Sequence, residues 1–466
     1  MTGCRDRSRC GPPRGGSGSG GGRSFFDPAR MALRSFVLSA VLLALAYGML
    51  AGRFQLAPYP QVRDGILQLV ALSRGDTLAW YYRQTSQAER VDVYHRTKAY
   101  DGVNLVTSIA DSDRLSVEIV AMDGTVVHAW DVDWFDIWPD PEHLTESEIP
   151  KSPPGTNIHG AEIMANGDLV FNYLDKGLVR LDICGNVVWR LPYRTHHSID
   201  VDADGNLWVP GKVPHTERDP RFPNHEPPFL EFTLLKVSPE GDLLKEISIP
   251  ELLQVNGLGG LLYLSTTDNL SSAVTGDTLH MNDAETFPAD MAPGTFAPGD
   301  VVISLRNINA ILVFSEDDLA VKYLSIGRFV RQHDPDFIDG DTISVFDNNN
   351  LSPGADAPQS RIVIVSADDE RPEVRFQGSE RQPFFTDIMG KHQWLPNGNL
   401  LVTEARAGRA FELDAAGEVV WQYYNLVAPG RLGWMEEVQR LPGSYQRTIE
   451  EALNGQCRDD REPESP

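Results

Sequence analysis

Apolar and polar residues alternate through most of residues 121–424, in short runs broken by polar turns. Two phrases interleave there. In the first, a turn bearing Asp, Gly or both leads into an alternating strand, as in AMDGTVVHAW (121–130) and DAAGEVVWQY (414–423). The same phrase recurs at 182–191, 238–247, 315–324 and 367–376. The second opens on a histidine and runs through alternating residues toward an Asn/Asp/Gly turn and a β-branched strand. Its copies are HGAEIMANGDLVF from His159, HSIDVDADGNLWV from His197, HMNDAE from His280, HDPDFIDGDTISVF from His333 and HQWLPNGNLLVTE from His392. Counted from His159 to the start of the last such segment at Trp434, phrase starts average about 55 residues apart, which suits a four-stranded propeller blade.

Six hairpin phrases against five histidine phrases set the blade number at six. The hairpin at 121–130 has no histidine phrase before it, and WMEEVQRLPGSY (434–445) has no hairpin after it. VQRLP (438–442) aligns with HQWLP (392–396), so the late strand completes the blade begun near residue 103. That closes the ring without a free edge. Val438 then stands at the position of His392, leaving one blade without an imidazole. The expected fold is all-β, a six-bladed β-propeller over 103–445 preceded by a transmembrane helix.

The flanks read differently. Residues 1–34 form a basic, Gly/Ser/Arg-rich leader that cannot build a core. Residues 35–52, SFVLSAVLLALAYGMLAG, are 18 residues without a charge, enough to span a bilayer. Arginines on the N-terminal flank place that end in the cytoplasm, hence the propeller on the periplasmic side of the inner membrane as a single-pass protein. No small-x-small site follows, which favours an uncleaved anchor; Met31 is an alternative start. Residues 53–102 are expected as a linker with a short helix at 66–80, and 446–466 as a charged, structureless tail. Segments 213–229 and 256–276 are expected as surface loops over the channel.

Charge sharpens this division. Residues 1–53 hold eight Arg and two acids, about +6, whereas the whole chain of 466 residues carries −25. An acidic body excludes nucleic acid as a partner. The four cysteines, Cys4, Cys10, Cys184 and Cys457, show no metal-ligand spacing, and Cys184 is expected to sit unpaired in a turn.

Innermost strands of a propeller run along its channel, so His159, His197, His280, His333 and His392 are expected to converge at one mouth. Arg361 and Arg306 are placed to turn guanidinium groups toward a bound anion. Imidazole with guanidinium equips a site to move an anionic group: one neutral His attacks while cationic partners hold the transferred group's oxygens. His196 is expected to face away from its neighbour His197. His95, His128, His143, His215 and His225 fall outside the phrase and read as surface or packing residues, and Trp130, Trp189 and Trp421 as blade-to-blade packing. Asn282, Asp283, Asp347 and Asn348 are turn or cap residues, or else oxygen ligands for Ca²⁺ in the channel. A scarcity of Asp and Glu at ring positions counts against the metal reading.

The segments LHMNDAE (279–285), ISLRNINAILVF (303–314), RQHDPDF (331–337), SVFDNN (344–349), SRIVIV (360–365) and GKHQWLPNGNLLVTE (390–404) carry a family likeness, with YDGVNLVTS (100–108) at the start of the propeller. Over roughly 100–445 the chain resembles the bacterial arylsulfotransferases, which use a sulfate ester as donor in place of a nucleotide sulfate. The resemblance implies a central active site and ping-pong transfer from a phenolic sulfate to a phenol through a sulfated histidine, with no metal or other cofactor. By motif it makes His333, Arg361 and His280 catalytic. His392 is taken as the nucleophile, with Lys391 beside it keeping it neutral. His197, His159, Arg306 and Lys391 are taken as substrate-binding. The chain departs from well-known members, which carry a separate N-terminal β-domain and a disulfide near the site. A non-catalytic, membrane-tethered binding scaffold and a metal-dependent propeller hydrolase are the alternatives.

Overall fold

The computed structural model describes residues 28–54, 81–265, 274–350, 359–369 and 371–457. Two units separate, 1–80 and 81–466. In the first, Pro28–Phe54 is one helix, longer at both ends than the expected span. Its stretch Met31–Leu50 is long and apolar enough to cross a membrane, as an anchor or a signal sequence would be. The expected helix at 66–80 lies outside the described residues.

The second unit contains six antiparallel sheets built on a four-strand plan. Blade two is Ile158–Ile163, Leu169–Tyr173, Gly177–Leu181 and Val187–Leu191. Blade three is Asp200–Val201, Leu207–His215, His225–Val237 and Leu243–Ser248, with Val274–Gly276 added in parallel. Blade four is Met281–Thr286, Asp300–Leu305, Ala310–Ser315 and Val321–Ile326. Blade five is His333–Phe337, Thr342–Asp347, Arg361–Ser366 and Glu373–Gln377. Blade six is Lys391–Trp394, Leu400–Glu404, Arg409–Leu413 and Val419–Tyr424. Every hairpin phrase is the turn into the fourth strand of its blade.

Blade one closes the ring as expected. Its innermost strand, Met435–Pro442, pairs with Gly102–Ile109, which leads to Leu115–Ala121 and Val126–Trp130. A fully buried ion pair fastens this seam. Arg440 Nη1 donates to Glu412 Oε2 of blade six at 3.0 Å, and its Nε donates to Asn104 Oδ1 at 2.7 Å. Such a pair is costly to break on one side, because the remaining charge is left in a low-dielectric interior.

The core lies between the blades. The middle strands of the blades bury both faces and read as near-continuous apolar runs such as VVISL and AILVF, whereas outer strands such as Val187–Leu191 and Glu373–Gln377 stay largely exposed. Six hydrophobic layers fill the six gaps. Val103 and Val117 meet Leu169 and Phe171; Val170 meets Leu207; Trp208 and Phe232 meet Ile303; Val302 meets Ile343; Phe346 meets Val402; Leu401 and Trp421 meet Val106 and Val438. Trp130, Trp189 and Trp421 pack here and also donate their indole N–H to a backbone carbonyl in the next blade, of Asp182, Pro239 and Met122 respectively.

Four expectations need correction. Part of the presumed linker is built into sheets: Val91–Tyr94 pairs with the outer strand of blade six, and Tyr82–Gln84 pairs with Arg431–Gly433. Segment 213–229 is the tip of a long hairpin, because Leu207–His215 and His225–Val237 stay paired to His215 opposite Phe229. The presumed tail contains the helix Ser444–Gln456, whose Tyr445, Ile449 and Leu453 lie against the layer between blades one and two. Cys184 is not free: it forms a disulfide with Cys457, tying that helix to a turn of blade two.

Candidate active site in the channel

Each innermost strand sends every second residue into the channel. The inward residues are Glu162, Ser198 and Asp200, Asp283 and Glu285, Asp334 and Asp336, Lys391 and Gln393, Glu437 and Gln439, around a cavity of about 180 Å³. Seven of these are carboxylates and one is a lysine. The expected scarcity of acids is therefore wrong. The repeat conserves the inward position but not the residue type, so the acids did not stand out as a motif.

At one end of these strands the geometry changes. A bulge falls at His159, and His197 and His280 have φ of 59° and 50°. Left-handed backbone at a side-chain-bearing residue costs of order 1–3 kcal/mol and persists only where the surroundings enforce it. Here it re-aims imidazoles. The His197 ring lies 4.4 Å from that of His159, 5.3 Å from His280 and 6.3 Å from His333, centroid to centroid. The structure thus brings together four of the five predicted histidines. His196 joins them, contrary to expectation: its Nδ1 is 2.7 Å from Nδ1 of His197.

Burial pushes His159 and His333 down to about 3, and Arg306, Lys391 and His280 push the same way. His196 and His197 are held well below the usual range, again chiefly by burial. Burial also lowers His280, though Asp277, hydrogen-bonded to its Nδ1, opposes this. The imidazoles are thus predominantly neutral donors and acceptors at pH 7. Positive charge at the mouth comes from Arg306, whose own value burial lowers to about 10, and from Lys212, which pairs with Asp175 at 2.7 Å. Lys212 had no recurring phrase to mark it.

His333 is held from one side. Its Nδ1 meets Asn348 Oδ1 at 2.7 Å, while Nε2 is buried with no hydrogen-bond partner among the described residues. An unpaired polar atom in such a place is expensive unless a ligand completes it. His159 is similar: Nδ1 is buried and unpaired, and Nε2 lies 3.9 Å from Glu436 Oε2.

His392 belongs elsewhere. It lies one residue before the inward Gln393, as Ala161, Ala284 and Val438 lie before Glu162, Glu285 and Gln439. It therefore points between blades, where both ring nitrogens are engaged: Nδ1 with Asp334 Oδ2 at 2.8 Å and Nε2 with Ser344 Oγ at 2.7 Å. The turn spacing signalled this offset. His159 and His197 stand eight residues before Gly167 and Gly205, but His392 stands only six before Gly398. Asp334, His392 and Ser344 have the connectivity of a hydrolase triad, yet Ser344 is completely buried and its Oγ already accepts from Trp394.

Arg361 is also committed. Its Nε and Nη2 both donate to Asp347 Oδ2, a buried carboxylate whose Oδ1 accepts from the backbone N–H of Val330 and Asn349. Lys391 bridges Asp283 at 2.7 Å and Asp334 at 2.8 Å instead of facing His392 alone. Those pairings occupy Asp283 and Asp347 as candidate Ca²⁺ ligands. Asp334, Asp336 and His392 do converge within metal-binding reach, but Lys391 and Ser344 hold two of the three. Among the described residues no trio of mouth histidines converges in this way.

Comparison with curated proteins finds no match. A protein of unknown function from Bacteroides caccae aligns with a TM-score of 0.44 and 12% identity over 72% of this chain and 98% of that one. A nidogen/laminin complex gives 0.40 and 10% over 72% and 97%, and a streptogramin B lyase 0.36 and 9% over 74% and 88%. The sequence model of one family, described as arylsulfotransferase (ASST), matches residues 160–426, from blade two to the end of blade six. With more than half of its length matched, the chain belongs to the arylsulfotransferase family.

Proposed function

We propose that the mouth of the channel transfers a sulfuryl group from a phenolic sulfate ester to a phenol, with His333 as the imidazole that carries it. One observation bears most of the weight: His333 Nε2 is buried and unpaired, on a ring 6.3 Å from that of His197 and with Arg306 close enough to depress it. His392, whose two nitrogens are engaged, is the poorer nucleophile.

The Nε2 lone pair attacks sulfur, the S–O bond to the aromatic ring breaks, and its electron pair leaves on the phenolate. His280, beside Asp277, gives the leaving oxygen a proton. The bound anion favours the protonated form of that ring. An incoming phenol returns the proton to His280 as its oxygen attacks sulfur, the N–S bond breaks, and Nε2 regains its lone pair. Arg306 and Lys212 neutralise the sulfuryl oxygens, and His159 and His197 line their approach.

The test is trapping with 4-nitrophenyl sulfate. Sulfation should map to His333, vanish in His333→Gln and persist in His392→Gln. Label that survives in His333→Gln would overturn the assignment, and a wild-type protein that neither takes label nor turns over would favour the scaffold reading.

The helix Pro28–Phe54 is proposed to anchor the propeller on the periplasmic side of the inner membrane. The Cys184–Cys457 disulfide supports an oxidising compartment. Digestion of the propeller by protease in spheroplasts, but not in intact cells, is the expected result.

A further inference from the structure

Asn348 follows the second strand of blade five and is completely buried. Its Nδ2 donates to the carbonyls of Thr386 at 3.0 Å and Met389 at 2.7 Å. Carbonyls only accept, so these two bonds determine which end of the amide is nitrogen. Oδ1 therefore faces His333 Nδ1, at 2.7 Å, and can only accept. Nδ1 must carry the hydrogen, and in the neutral ring Nε2 keeps the lone pair.

The residue beside it is anchored as firmly. Asp347 takes the Arg361 fork on one oxygen and two backbone N–H groups on the other. Ser360 Oγ donates to the Asn348 carbonyl at 3.1 Å.

We infer that Asn348 is a positioning residue that keeps His333 in the tautomer with its lone pair on Nε2, and that the Arg361–Asp347 pair holds Asn348 in place. The inference rests on His333 being the reacting imidazole. It explains why an amide stands here and not a carboxylate. Aspartate would leave the Met389 carbonyl without its donor and the Thr386 carbonyl with only the 3.4 Å contact from Ser360 Oγ, and its charge would draw the ring toward the protonated, non-nucleophilic form. A neutral acceptor leaves the free ring neutral. It also leaves the proton on Nδ1 after sulfation, so the carrier is a cationic ring from which the sulfuryl group departs readily. Arg361 then acts through Asp347 and the chain, away from the sulfuryl oxygens.

The experiment uses the full chain in detergent, with ¹⁵N-labelled histidine. A long-range ¹H–¹⁵N spectrum at pH 7, assigned by the signal lost in His333→Gln, should show His333 with hydrogen on Nδ1. Asn348→Leu should abolish the single tautomer and lower kcat roughly 10–100-fold with KM nearly unchanged. Asn348→Asp should keep the tautomer and move the acid limb of the kcat profile, read with 4-nitrophenyl sulfate, to higher pH. Hydrogen on Nε2 in the wild-type ring, or an Asn348→Leu protein with unaltered tautomer and kcat, would overturn the inference. If Asn348→Leu does not fold, the wild-type spectrum and the Asp variant decide. The spectrum reads the ring without turnover, so an active His333→Gln protein would sink the sulfuryl-carrier reading while leaving the tautomer result to stand or fall alone.

Discussion

One channel holds two environments of opposite character. At the mouth, burial strips protons from imidazoles, and positive charge is left to Arg306 and Lys212, faced by the carboxylates of Asp277 and Asp175. Further along the same strands, burial retains protons on carboxyls: Glu162, Glu285 and Asp336 are held well above their usual range, and Glu437 is pushed up to about 7. Asp334 is the exception, held down to about 2 because Lys391 and His392 outweigh the effect of its burial. Desolvation thus neutralises bases at one place and acids at the other. What distinguishes a site from a scaffold here is unfilled valence. The mouth leaves nitrogen lone pairs unmet, whereas around His392 and Lys391 the polar atoms satisfy one another.

If that contrast is sound, substitutions at the two places damage different properties. The largest effect is expected at the mouth. His333→Gln should lower kcat for 4-nitrophenyl sulfate at least about a thousandfold with little change in melting temperature, whereas His392→Gln should retain turnover within about tenfold and melt earlier. Arg306→Leu comes next, with kcat reduced about 10²–10³-fold, the scale for one stabilising donor at developing charge. In the chamber, Lys391→Met should destabilise by roughly 3–5 kcal/mol in denaturant titration, because Asp283 and Asp334 lose their cation. Equal loss of activity and stability at both places would dissolve the distinction.

The smallest effect concerns pH. The mouth imidazoles have depressed values in the folded chain, so the unfolded chain binds more protons, and their contribution is lost as pH falls below about 6.5. Glu437 is raised, so the folded chain binds more protons, and its contribution is lost as pH rises from about 4.5 through about 7. Glu437→Gln should therefore gain stability over wild type across that range, by about 1–3 kcal/mol in urea titrations at pH 5 and pH 8. A gain that shrinks with rising pH would contradict the sign.

The blades were legible because alternation and turn chemistry are local and repeat six times. The closing strand was legible because VQRLP kept the pattern of HQWLP after its histidine was replaced by Val438. The site was legible only in part. A shared phrase located the histidines near the axis, but a two-residue difference in turn spacing and a bulge at His159 decide which of them meet. Asn348 looked like a turn residue because its partners, Thr386 and Met389, lie some forty positions away with no pattern linking them. The disulfide joins cysteines 273 positions apart, beyond any spacing rule. The terminal helix did carry a signal, with Tyr445, Ile449 and Leu453 at four-residue intervals, masked by the charged residues that follow.

The seam of blade one has a temporal consequence. Thr107 and Glu437, neighbours across it, are separated by 330 positions. At ribosomal speeds of about 5–20 residues per second, the first of these strands exists for roughly 15–65 s before its partner is synthesised. Throughout that interval it offers bare amides and carbonyls to any other chain within reach, so the last-made strand must arrive before a stranger does.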